Sequence, residues 1–180
     1  MDDNRPDEAL KAAGLTVRAD LSMHVATLRY FESGGAFARA VQAATGVPLP
    51  AVQRAREAEG GELTLAWRSP TETLLLSSSA GRLSQLEEAL AHTGEGCLLN
   101  VTGGLTLLRV TGERIADLLC RLGGAVCVPA VGEARRSRLA DVPVLALAVR
   151  EGEALLLVDR GYAAHLTAWI RETLLDFADA

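Results

Sequence analysis

The sequence predicts an α+β fold made of two ferredoxin-like split βαβ halves. Three observations lead there. Short apolar runs rich in Leu, Val and Thr alternate with stretches whose apolar residues recur at helical spacing. The order strand, helix, Pro-containing connection, strands, helix occurs twice. Landmarks of the two passes (Gly34 with Gly112, Pro48 with Pro129, Leu74 with Leu155) lie about 80 residues apart, the mark of an internal repeat.

Residues 1–14 are polar and acidic and are expected to form a flexible N-terminus. Val25–Tyr30 reads as a strand, from its β-branched and aromatic content. Ser33-Gly34-Gly35 opens a helix, with Ser33 as its N-cap and Phe37, Ala40, Val41 and Ala44 on its apolar face. Gly46 and Pro48 end it, and the charged stretch to Gly61 reads as a connection with little core signal. Leu63–Trp67 and Thr73–Ser77 form two strands around the turn Arg68–Glu72. A helix carrying Leu83, Leu86 and Leu90 closes the first half.

The second half begins with the strand Leu105–Val110. Thr111 then caps a helix bearing Ile115, Leu118, Leu119 and Leu122, which Gly123-Gly124 ends. Arg138–Ala140 and Pro143–Val149 make a hairpin around Asp141, and Ala154–Val158 is the next strand. The last helix carries Leu166, Trp169, Ile170 and Leu174, with Phe177 near its end. The expected organisation is a first βαββα half over residues 15–93 and a second over 94–180, packed as one compact domain because a half of roughly 80 residues is marginal alone.

Composition narrows the function classes. The 180 residues are 49% apolar and 23% charged, values of a globular chain. A net charge of −5 disfavours nucleic acid as a partner. No apolar run approaches the ~18 residues of a membrane span. The opening segment has no apolar stretch of signal-peptide type, and the odd, low count of cysteines (Cys97, Cys120, Cys127) fits reduced thiols, so the expected location is cytoplasmic. Those cysteines lack metal-ligand spacing, which predicts no metal site, and Cys120 reads as a core thiol. No phosphate-cradling loop, nucleophile elbow or zinc helix is recognisable, so neither catalytic nor cofactor-binding residues can be named.

A few residues remain as candidates for ligand or interface contact. Arg135-Arg136-Ser137-Arg138 is the densest basic cluster. Strand alternation places Arg136 and Arg138 on one face, either to pair with a carboxylate or to protect a solvated edge strand. Trp67 and Trp169 occupy corresponding places in the two halves and read as core anchors or interface hot spots. His165 lies four residues before Trp169 with no partner at helical spacing. Gly103-Gly104 is either an anion-binding turn or a plain tight turn, and the latter is the simpler reading.

Four segments also carry a family resemblance. Leu65–Leu76, with Trp67, Pro70, Glu72 and the leucine run, resembles a segment of the folate-binding aminomethyltransferase-like superfamily. Asn100–Gly112, the hairpin Arg136–Val144 and the stretch Ala154–Leu166 are similar to three further segments of it, in the same order. Within that superfamily the length resembles the gamma subunit of heterotetrameric sarcosine oxidase. The resemblance implies a folate-binding-like fold in a subunit that is not catalytic alone and binds no cofactor itself. It implies larger alpha and beta partners that hold FAD, FMN, NAD and tetrahydrofolate and oxidise sarcosine to glycine. Two departures stand out: Thr102-Gly103 replaces the family's Ser-Asp, and Arg136-Ser137-Arg138 replaces its Gln-Thr-Arg.

Two other readings remain at this stage. One is a free-standing module for folate or a small acid, in which Arg109, Arg136 or Arg138 meets a ligand carboxylate. The other is a homodimeric scaffold without ligand, self-associating through an unsatisfied face.

Overall fold

The computed structural model describes residues 9–12 and 14–178. Most of the stretch expected to be flexible therefore lies outside the described residues. Two sheets are present, each antiparallel and each carrying two helices. The chain divides into two compact units: Met1–Leu21 with Gly104–Val131 and Arg135–Ala180, and Ser22–Gly103 with Gly132–Ala134. The expected boundary between residues 93 and 94 falls inside the second of these.

The unit around Ser22–Gly103 runs β3 (His24–Tyr30), α1 (Ala36–Thr45), β4 (Ala55–Ala58), β5 (Leu63–Ser69), β6 (Glu72–Ser77), α2 (Ala80–Leu90) and β7 (Gly96–Asn100). Its strand order is β4-β5-β6-β3-β7. Without β4, this is a βαββαβ unit with its elements in chain order. The other unit runs β1 (Leu10–Ala12), β2 (Leu15–Ala19), β8 (Leu105–Thr111), α3 (Ile115–Gly123), β9 (Glu133–Leu139), β10 (Val142–Arg150), β11 (Glu153–Asp159) and α4 (Arg160–Ala178). Its order is β1-β2-β8-β11-β10-β9. Apart from β1, which has no counterpart, the two orders match, with β3 answering to β8, β6 to β11, β5 to β10 and β4 to β9. The position beside the first strand is filled by β7 in one unit and by β2 in the other. The repeat in the sequence is thus a repeat in topology, with one strand drawn from the opposite end of the chain.

The apolar runs explain where the cores sit. In β11 every residue from Ala154 to Val158 is buried. Leu156 and Val158 join a core with Leu108, Val110, Val144 and Ala146 under α3 and α4. Leu155 and Leu157 point to the opposite face and are buried as well. A strand buried on both faces reads as a continuous run rather than an alternation. The same holds for Leu74-Leu75-Leu76 in β6, of which Leu75 belongs to the core with Leu28, Phe37, Val41, Leu65, Leu83 and Leu86.

Several local expectations are corrected. The N-cap of α1 is Gly35, not Ser33, and its side-chain cap comes from far away in sequence: Glu95 Oε2 accepts from the Ala36 N–H at 2.6 Å. Helix α3 starts after Arg114, while Thr111 is still the last residue of β8. The charged connection before Gly61 holds β4 and a 3-10 turn, Glu59–Gly61. Cys120 is exposed, and the buried thiol is Cys127, whose Sγ lies 2.9 Å from the Gly123 carbonyl oxygen. The Gly103-Gly104 pair is a tight turn with Gly103 at φ 84.

Arg82 on α2 ties this unit together. It donates to the Ala44 carbonyl at the end of α1 at 2.8 Å and pairs with Glu59 of the 3-10 turn. Its hydrogen bond holds the Glu59 carboxyl below the ordinary carboxylate range. A depressed carboxyl adds stability above its unfolded pKa and loses it as pH falls through the folded value. The advantage of the native chain over Glu59→Gln in urea unfolding is therefore expected in full at neutral pH, should begin to shrink near the ordinary Glu value of about pH 4, and should vanish only below the depressed folded value. A constant difference across that range would contradict it. A second expectation concerns the paired glycines. Gly112 sits at φ +133, and a Cβ there would lie 2.2 Å from the Gly14 carbonyl oxygen, whereas Gly34 has open space. Gly112→Ala should cost ~1–3 kcal/mol in the same assay and Gly34→Ala far less.

Candidate functional site

Arg109 lies in β8, between β2 and β11. Its Nε and Nη2 donate to Asp20 Oδ2 at 3.0 and 2.8 Å. Its Nη1 pairs with Glu153 Oε1, while Arg150 pairs with Glu153 Oε2. The Asp20 and Glu153 side chains are each only 8% exposed, and Arg109 is 19% exposed. Two sequestered carboxylates thus meet one mostly buried guanidinium, Arg109, with the exposed Arg150 adding a second cation on Glu153, and β2, β8 and β11 are all anchored to Arg109. Charge on Arg109 is already met inside the chain, which leaves it poorly suited to a ligand carboxylate.

The cleft beside this cluster has a volume of about 390 Å³ and is lined by Gly112, Pro129, Arg150 and the carboxylate-bearing Glu113, Glu151 and Glu153. Its acidic rim does not fit the anionic glutamyl tail of a folate. A second cleft, about 490 Å³, lies in the other unit and is lined by Tyr30, Phe31, Glu72, Glu95 and Cys97 among others. Its carboxylates are also engaged: Glu72 with Arg29 at 2.7 Å, and Glu95 with the start of α1. Burial pushes the Tyr30 phenol up, and its hydroxyl lies 2.9 Å from Thr73 Oγ1. Among the described residues no group of three or more His, Cys, Asp or Glu is placed to hold a metal ion.

The other candidates fall elsewhere. Trp67 is half-buried at the irregular end of β5, where the pairing with β6 shifts register. Arg136 and Arg138 are both exposed on β9, and Arg135 is less so, as alternation predicts. Arg138 Nη2 donates to the Asp141 carbonyl. Trp169 is 53% exposed on α4, so the core-anchor reading fails for it. Leu166, Ile170, Leu174 and Phe177 form the buried stripe of that helix, and Trp169 lies to one side of it. The phenyl ring of Phe177 is covered instead by Arg114 and Arg121, at 4.5 and 4.9 Å from its centroid.

Sequence reasoning missed the role of His165. Its Nε2 lies 3.1 Å from the Ala140 carbonyl oxygen, in the two-residue turn joining β9 to β10. Ala140 and Asp141 hold φ values of 48 and 63, a left-handed pair usually given to Asn-Gly. The signal was in the chain, because a hairpin turn written Ala-Asp is an outlier that needs outside support. Leu122 supplies more of it, its carbonyl accepting from the Ala140 N–H at 2.8 Å.

Comparison with known proteins places this geometry. The family model described as "Sarcosine oxidase, gamma subunit family" matches residues 31–176, most of the chain. The chain belongs to that family. No curated protein matches this family member in sequence. A chain in the structure of heterotetrameric sarcosine oxidase from Corynebacterium sp. U-96 in complex with pyrrole 2-carboxylate is similar at 26% identity and a TM-score of 0.83, covering 96% of this chain and 90% of that one. Glycine cleavage system aminomethyltransferase T from Bartonella henselae is similar in fold at 13% identity and a TM-score of 0.66. This gamma-family chain is covered over 88% of its length there but spans only 46% of the aminomethyltransferase. No helix among the described residues is long and apolar enough to cross a membrane.

Two substitutions separate fold from surface in this gamma-family chain. Arg109→Met removes the cation shared by two sequestered carboxylates, leaving Arg150 on Glu153, and should cost ~3–5 kcal/mol in urea unfolding. Trp169→Ala removes an exposed ring and should cost less than ~1 kcal/mol. The reverse ranking would contradict both assignments.

Proposed function

We propose that this chain is the gamma-like, non-catalytic subunit of a heterotetrameric, sarcosine oxidase-type amine-oxidising flavoenzyme in the cytoplasm. Larger alpha and beta subunits hold FAD, FMN, NAD and tetrahydrofolate, and this chain binds none of them. The observation that carries the reading is the near-complete correspondence with a chain of the Corynebacterium assembly, over 96% of one and 90% of the other.

The site chemistry supports the same reading. Arg109, one of the three arginines that sequence alone made candidates for a folate carboxylate, is matched by Asp20 and Glu153. Cys97, Cys120 and Cys127 are all free thiols, in keeping with a reducing compartment. What the chain offers instead is rigid surface, two sheets with buried cores and exposed aromatic and basic residues on their periphery.

The test is purification of the tagged full chain from its native host, with subunit masses, a visible spectrum and an assay for sarcosine oxidation. Yellow material with flavin bands, larger partners and sarcosine-dependent turnover is the expected result. A colourless chain without partners would overturn the reading.

A further inference from the structure

One patch on the unit of Arg135–Ala180 brings together residues that neither the fold nor the clefts use. Tyr162, His165 and Trp169 follow each other at spacings of three and four on α4, so they share one face of it. Tyr162 is 50% and Trp169 53% exposed. The His165 and Trp169 rings lie 6.4 Å apart between centroids. His165 reaches the Ala140 carbonyl, and Arg138 reaches the carbonyl of the next residue, Asp141. Arg136 stands two residues before Arg138, and β-strand alternation puts both on the same face. The left-handed Ala140-Asp141 turn is therefore clamped between a helix and an arginine, which fixes the patch in one arrangement.

Its charge is distinctive. Arg29, Arg82, Arg109, Arg121 and Arg150 each pair with an Asp or Glu of the chain. Arg136 makes no ion pair among the described residues, and Arg138 meets only a neutral carbonyl. Two guanidiniums without carboxylates beside an exposed Trp and Tyr are the residue types that dominate protein interfaces. Neither cleft includes any of these residues, so the patch is not a small-molecule pocket. A chain of net charge −5 is ill suited to nucleic acid.

We propose that Arg136, Arg138, Tyr162, His165 and Trp169 form a docking surface for an acidic segment of a larger protein subunit. The partner's carboxylates pair with Arg136 and Arg138, and an apolar residue of the same segment covers Trp169. This rests on the subunit reading above.

The test uses the full chain, tagged and expressed in its native host, with a photo-cross-linking phenylalanine analogue at position 169. Mass spectrometry reads what is captured. The expected result is a cross-link to an Asp- or Glu-bearing segment of a larger subunit. The double variant Arg136→Glu, Arg138→Glu and the single variant Trp169→Ala should each weaken assembly roughly tenfold or more. Val52→Ser, exposed in the other unit, should assemble as the native chain does. Because the three residues changed in the patch are exposed, unchanged melting curves show that the variants fold. A cross-link to a second copy of this chain, to nucleic acid or to nothing overturns the docking surface and leaves the subunit reading standing, as would charge reversal without effect. If the native chain captures no larger subunit at all, both fall.

Discussion

A single guanidinium holds the sheet of the Arg135–Ala180 unit in register. Arg109 reaches Asp20, just past the end of β2, and Glu153, at the start of β11. The strand that completes this unit is thus tied in by charge as well as by the β2–β8 ladder. That tie matters because β2 comes from the N-terminal end of the chain, so its pairing with β8 closes a long loop that local sequence does not favour. An ion cluster so withdrawn from water is not a strong source of net stability, but removing Arg109 takes away the cation that two mostly buried carboxylates share. The cluster therefore fixes which strand pairs where.

The same cluster decides how the basic residues divide. Arg109, Arg82 and Arg29 serve the fold, each matched to a carboxylate from another element. Arg136 and Arg138 make no ion pair among the described residues, and Arg138 instead donates to the Asp141 carbonyl of its own hairpin. The division separates a protein that could be read as a ligand-binding module from one whose free chemistry lies on its surface. The fold is shared with an aminomethyltransferase, but a shared fold leaves function to the site. Of the three arginines that could meet an anionic ligand, Arg109 is spent on internal pairing, while Arg136 and Arg138 lie exposed on β9.

Much of the fold was legible because burial on both faces writes itself as a leucine run. Leu74-Leu75-Leu76 and Leu155-Leu156-Leu157 mark β6 and β11 and carry the repeat. Sequence alone did not find β1, β2, β4 and β7; of these, β2 and β7 complete each sheet from a distance, Leu15–Ala19 alternating weakly and Gly96–Asn100 being short and half-exposed. The missed cap has the same cause, since Glu95 reaches α1 from the far end of its unit. Cys120 is exposed and not in the core because helical phase puts it outward, while Cys127 tucks under Gly123. Of the candidate site residues, exposure of Arg136 and Arg138 followed from alternation. The neutralisation of Arg109 depended on Asp20 and Glu153, both distant in sequence.

The most direct test of this division of charge is calorimetric titration of tetrahydrofolate into the isolated full chain. An Arg109 already matched by Asp20 and Glu153 predicts no saturable heat up to high micromolar ligand. Saturable binding that disappears on replacing Arg109 would contradict the account, because it would mean that this guanidinium is free to meet a ligand carboxylate.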